Sequence, residues 1–158
     1  MVRDPLIQAQ DWISAGASRV VVHMGSVDDY VDVITKLYSM YAMPGNLIQT
    51  DIIVAVPFDV HIEQIRPIAT CISGIQIMGI SPVGVQGSAL RPEVYATIKT
   101  IHSTFPSIPL SVDGGVKEPL IEKLVAAGAS YIVMGSAIFG HEHPRGVLRD
   151  LCNTYNSV

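Results

Sequence analysis

The sequence predicts an α/β fold in which five parallel strands alternate with helices. Three observations carry this reading. Five short runs rich in β-branched residues recur along the 158 residues, and segments with helix-start signals separate them. The tetrapeptide Ala-Gly-Ala-Ser stands before the first run, at Ala15 to Ser18, and again before the last, at Ala127 to Ser130. In both places the pattern is a helix that ends on glycine and turns directly into a strand.

The elements follow in order. Asp4 then Pro5 reads as an N-cap with proline at the first helical position. The first strand runs from Arg19 to Met24. Ser26, with Asp29 three residues on, resembles a capping box for a helix ending near Ala42. A long turn at Tyr41 to Gln49 contains Pro44-Gly45-Asn46 and leads to the second strand, Asp51 to Val56. Asp59 caps a short helix ending near Thr70, and the third strand spans Gly74 to Ile80. Pro92 starts a helix to about Ser103, followed by a strand from Ile108 to Val112. Lys117 to Ala127 is helical, Tyr131 to Met134 is the fifth strand, and a helix from His143 or Pro144 to about Asn153 closes the chain. The strand runs are continuous rather than alternating, which predicts cover on both faces. Strand–helix alternation argues for right-handed parallel units.

The composition bounds the function. Apolar residues make up 49% and charged residues 15%, enough for a sizeable core and a single domain over residues 1–158. With no apolar run near the ~18–20 residues a bilayer needs, and no signal-peptide core, a cytoplasmic protein without membrane contact is expected. Net charge is −4 and the ten Lys and Arg residues are scattered, so no nucleic-acid partner is expected. Cys71 and Cys152 fit no metal-ligand spacing and read as unpaired thiols.

Ligands of parallel α/β folds meet the carboxyl ends of strands. After the fourth strand comes Val112-Asp113-Gly114-Gly115-Val116, and after the fifth Met134-Gly135-Ser136-Ala137-Ile138-Phe139. Two glycine-containing turns, one strand–helix unit apart, can aim backbone N–H groups at a single anion. Glycine admits the close approach of backbone to phosphate.

Those two segments, joined by a helix ending Ala126-Ala127-Gly128-Ala129, resemble the seventh and eighth units of the ribulose-phosphate 3-epimerase family. Val22-His23-Met24 is similar to the family's fourth strand, and Met78-Gly79-Ile80-Ser81-Pro82 to the end of its sixth. Met1-Val2-Arg3-Asp4-Pro5 resembles the end of its third strand and the start of the next helix. The implied fold is a partial TIM-type (β/α) barrel, entered just after the third strand. The implied reaction is epimerisation of a ketopentose 5-phosphate next to its carbonyl, with two aspartates as acid and base and a divalent metal (Zn, Fe, Mn or Co) supporting the oxyanion. Asp113 matches the family aspartate that binds metal and serves as one acid/base. Gly114, Gly115, Gly135 and Ser136 match phosphate-contacting positions, Gly84 and Gly87 keep phosphate-loop roles within Val83-Gly84-Val85-Gln86-Gly87-Ser88, and Met78 matches a residue lining the sugar pocket. His23 matches a histidine that is not a metal ligand and reads as a buried, satisfied side chain. His141 and His143 read as solvated loop residues.

The sequence also departs from the family. A serine, two metal histidines and the second aspartate belong to strands that precede Met1 in the family pattern. A metal is therefore expected only if the site is completed from elsewhere. Barrels need eight units, about 200 residues at the lower end, so the first and fifth strands are expected to be open edges that favour association or a homo-oligomer. Three explanations stand: a segment of a longer enzyme, a chain completed by another chain, or a remnant that binds phosphosugar without chemistry. A hexulose-phosphate synthase-like barrel is a further alternative, against which Asp113 argues, since those barrels usually lack the aspartate.

Overall fold

The computed structural model describes residues 2, 4–26, 28–84 and 87–155. Val85 and Gln86 of the loop after the third strand, and Met1 and Arg3 at the start, lie outside them. Helix α1 (Pro5–Ser14) opens with the Asp4 carboxylate accepting from the Ile7 N–H at 3.3 Å. Strand β1 (Arg19–His23) and one 3-10 turn (Met24–Ser26) lead to α2 (Tyr30–Tyr41). Strand β2 (Asp51–Pro57) precedes α3 (Ile62–Ile65), and β3 (Gly74–Met78) precedes α4 (Val94–Thr104). Strand β4 (Leu110–Asp113), α5 (Ile121–Ala127), β5 (Tyr131–Val133), α6 (Ser136–Phe139) and α7 (Pro144–Tyr155) complete the order.

The five strands are all parallel and lie in chain order, β1-β2-β3-β4-β5. Right-handed crossovers repeated in one direction put every helix on the same face of the sheet. The core lies there: Val20, Val22, Ile52, Val54, Ile75, Ile77, Leu110 and Val112 meet Ile13, Ile34, Leu37, Ile98 and Leu124 of the helices. The expectation of cover on both faces therefore needs correction. β1 and β4 alternate between buried and more open positions, and residues of β2 and β3 such as Ile53, Ala55 and Met78 are buried on the second face. A run of valines in β1 made alternation invisible in the sequence, because Val20, Val21 and Val22 are one residue type in two environments. Val21 is 43% exposed, and at the other end of the sheet Tyr131 is 58% exposed. These two strands are the ends of the described sheet.

Several boundaries moved for identifiable reasons. The second helix is capped by Asp29, not Ser26: the Asp29 carboxylate accepts from the Asp32 N–H at 2.9 Å. The third begins after His61, not Asp59, because the Gln64 side chain reaches back to the His61 N–H at 3.2 Å. α4 starts at Val94 rather than Pro92, since the Arg91 N–H is bound to the Gly79 carbonyl at 2.8 Å and a turn must follow before the helix. β4 begins at Leu110 because Pro109 has no N–H to give a ladder. Both Ala-Gly-Ala connectors do end helices on left-handed glycines, Gly16 at φ 103° and Gly128 at φ 117°. No described helix is long and apolar enough to cross a membrane.

Candidate active site

Because the strands are parallel, His23, Met78, Asp113 and Val133 all stand at the same, carboxyl-terminal edge of the sheet. Paired residues of parallel neighbours share a face, and Met78, Asp113 and Val133 are direct partners on the face opposite the helices. They open into a pocket of about 400 Å³. Its lining includes all the residues singled out from the sequence: Asp113, Gly84, Gly87, Gly114, Gly115, Gly135, Ser136 and Met78. The turns after β4 and β5 thus meet on one rim. His23 of the first strand lines this pocket together with Val133 of the last, so the sheet curls.

Each glycine has its own local reason. Gly115 has φ 72°, and a Cβ there would lie 2.8 Å from Leu90 Cα and closer still to the Leu90 nitrogen. Gly114 has φ 100°, and a Cβ would press on Ile80 Cγ1 at 2.9 Å. The chain itself therefore demands glycine at both, whatever ligand is bound. Gly135 is different: a Cβ built on it meets nothing within 4 Å. Gly135 lines the pocket, so the free space opens into it. Gly135→Val is accordingly expected to leave the melting temperature nearly unchanged and to weaken binding of a phosphorylated sugar about tenfold or more, read by calorimetric titration. Gly84 and Gly87 also face open space, but their φ values of 96° and 80° require glycine for conformation alone.

Asp113 is half-buried, and its pKa is raised above the usual carboxylate value because burial disfavours the charged form; the nearby His23 opposes this. The His23 pKa is lowered, with burial again the first cause, while Asp113 pulls it upward. His23 is thus half-buried on the pocket wall rather than sealed in the core. One further residue was not foreseen. The Gln76 side-chain amide donates to Asp113 Oδ2 at 3.0 Å. Its sequence signal was slight: a lone polar residue two positions before Met78, which places both on one strand face.

Gly79, quoted in the sequence only as part of a motif, locks the pocket's frame. Its N–H donates to the Asp113 carbonyl at 2.6 Å, and a Cβ on it would meet the Gly114 carbonyl oxygen at 2.5 Å. A second cavity of about 630 Å³ adjoins the first, shares Gly87, Gly115 and Ser136 with it, and carries Lys117 and His141. His141 and His143 are exposed loop residues. Among the described residues no group of three or more His, Cys, Asp or Glu side chains is placed to hold a metal ion. Asp113 and His23 alone fall short of the three protein donors of a catalytic zinc-type site.

The sequence pattern of the ribulose-phosphate 3 epimerase family matches residues 1–139. A ribulose-phosphate 3-epimerase of Oryza sativa subsp. japonica, described as a cytoplasmic isoform, is 27% identical over 96% of this chain and 64% of its own length. The ribulose-phosphate 3-epimerase of Schizosaccharomyces pombe is 25% identical over 98% of this chain and 64% of its own. The chain thus spans just under two thirds of the length of these relatives. Among solved structures, a 3-hexulose-6-phosphate synthase superposes with TM-score 0.65 and 23% identity, over 95% of this chain and 68% of that one. A dihydroorotate dehydrogenase (DHODH) from Eimeria tenella gives TM-score 0.65 at 15% identity, over 99% of this chain and 57% of that one. At such identities these two speak for the fold alone, five units of a (β/α) barrel. With a family match that runs through β5 and into α6, the chain belongs to the ribulose-phosphate 3-epimerase family.

Proposed function

We propose that this chain is the C-terminal part of a ribulose-phosphate-binding (β/α) barrel, and that it provides the phosphate cradle and one acid/base of a ketopentose 5-phosphate 3-epimerase. The observation that carries the reading is one pocket shared by a half-buried carboxyl group and two glycine turns. Backbone N–H groups around Gly114, Gly115, Gly135 and Ser136 would hold the phosphate as point donors without a side chain in the way. Met78 would line the sugar chain, and Gly84 and Gly87 the phosphate loop. Asp113 would take the proton from the carbon next to the ketone, its raised pKa bringing its basicity towards the working pH. Family membership implies a divalent metal, but Asp113 with His23 does not fit one unaided, so the remaining donors have to come from another segment or chain. The relative described as a cytoplasmic isoform supports a cytoplasmic place for this protein.

The test is solvent exchange. Incubated in D2O with a ketopentose 5-phosphate, with and without added divalent cation, the protein is expected to place deuterium on the carbon beside the ketone. One base suffices for this wash-in, so it does not depend on the second aspartate. Binding of the phosphosugar with no exchange under either condition would favour a non-catalytic phosphosugar-binding role instead. Turnover of hexulose 6-phosphate would point to synthase-type chemistry.

The open ends of the sheet support self-association or capture of a complementary chain. Beside Val21, the groove between α1 and β1 carries Trp12 at 65% exposure. Unpaired strand edges next to apolar side chains invite pairing, and a lysine discourages it. Val21→Lys is expected to shift the sedimentation coefficient towards the monomer. An unchanged value would remove β1 from the contact.

A further inference from the structure

The concave face of the sheet is layered. Register sets His23, Ala55, Gln76, Ser111 and Tyr131 side by side, one layer below Pro57, Met78, Asp113 and Val133. Gln76 sits in that lower layer, in a strand whose Ile75 and Ile77 are fully buried on the helix side. A half-buried polar group on a strand face is costly unless it is hydrogen-bonded. Gln76 resolves this by donating from Nε2 to Asp113 Oδ2 at 3.0 Å, with a longer contact of 3.7 Å to the Met78 sulfur. The orientation of the amide follows from chemistry, because an ionised carboxylate only accepts and must therefore face the NH2 group.

We propose that Gln76 is a positioning residue for Asp113: from the layer beneath, it holds Oδ2 and so presents the other carboxylate oxygen to the pocket. Gln76 is not among the residues lining that pocket, so it acts through Asp113 and not on the sugar. This rests on the reading of Asp113 as acid/base. A half-open aspartate can rotate about two side-chain bonds, and a donor fixed on the neighbouring strand removes that freedom. Misplacement of a reacting group by about 1 Å can cost 100-fold in rate, so one hydrogen bond that fixes the carboxylate carries a large kinetic consequence.

Two measurements test it. In the 15N-labelled protein, the Gln76 side-chain amide is expected to exchange with solvent more slowly than that of exposed Gln8, and Asp113→Ala is expected to erase the difference. In the wash-in reaction, Gln76→Leu and Gln76→Asn (an amide one methylene too short) are both expected to slow deuterium incorporation about 10- to 100-fold. Affinity for the phosphorylated sugar should stay at the wild-type value, because the glycine turns are untouched. The proposal is overturned if the Gln76 amide behaves like that of Gln8, or if both variants exchange at the wild-type rate. Should the wild-type protein show no wash-in at all, it is the acid/base role of Asp113 that fails, and the amide measurement still decides whether Gln76 holds the carboxylate.

Discussion

Asp113→Asn is expected to reduce deuterium wash-in by about 10²–10⁴-fold, the usual worth of a positioned general base. An amide of the same shape keeps the contacts of β4 but cannot accept a proton from carbon. The phosphate cradle belongs to other residues, so affinity for the phosphorylated sugar should change by no more than about twofold. Side-by-side titration calorimetry and exchange rates separate the two effects. Wild-type exchange in the variant would remove Asp113 from the chemistry, and joint loss of binding and exchange would mean that the aspartate serves the pocket's architecture.

The second large effect is structural. Gly115→Ala is expected to destabilise the fold by about 2–5 kcal/mol, combining a non-glycine residue at φ 72° with a collision against the Leu90 backbone. Backbone atoms of an adjoining loop cannot swing aside as the tip of a long side chain can. Urea denaturation is the direct measurement, with Gly135→Ala as the companion, expected to lie within about 0.5 kcal/mol of wild type because its Cβ enters open space. Equal losses in both variants would show that the two turns are under the same constraint, contrary to the geometry.

These two glycines also show where sequence reasoning ran out. Both carry the same family resemblance, yet Gly115 is compelled by Leu90, 25 positions away in the chain, and Gly135 by nothing within the chain itself. No pattern of residue types distinguishes them. The five strands were legible to within a few residues because β-branched runs and glycine stops are local signals. Ends such as Met78 against the expected Ile80 were not, since the Gly79 carbonyl accepts from the Arg91 N–H of the following loop and not from β4. Asp113 and the glycine turns were legible as a motif. Gln76 was not, because its partner comes from another strand 37 residues on. The capping residue of α2 was not legible, since serine and aspartate are both capping residue types and only the helix start at Tyr30 selects Asp29.

The chain-order arrangement of the strands has one more consequence. Each β/α unit leans chiefly on the unit before and the unit after it, much as blocks in a stack. Contacts of that kind are short-range along the polypeptide for an all-parallel sheet, which lowers the entropic barrier to assembling it. A change at either terminus of the sheet then acts first on the adjoining block, β2 or β4, and the central β3 lies farthest from both. An architecture of this kind tolerates changes in the number of its repeating parts better than one whose first and last strands pair in the middle.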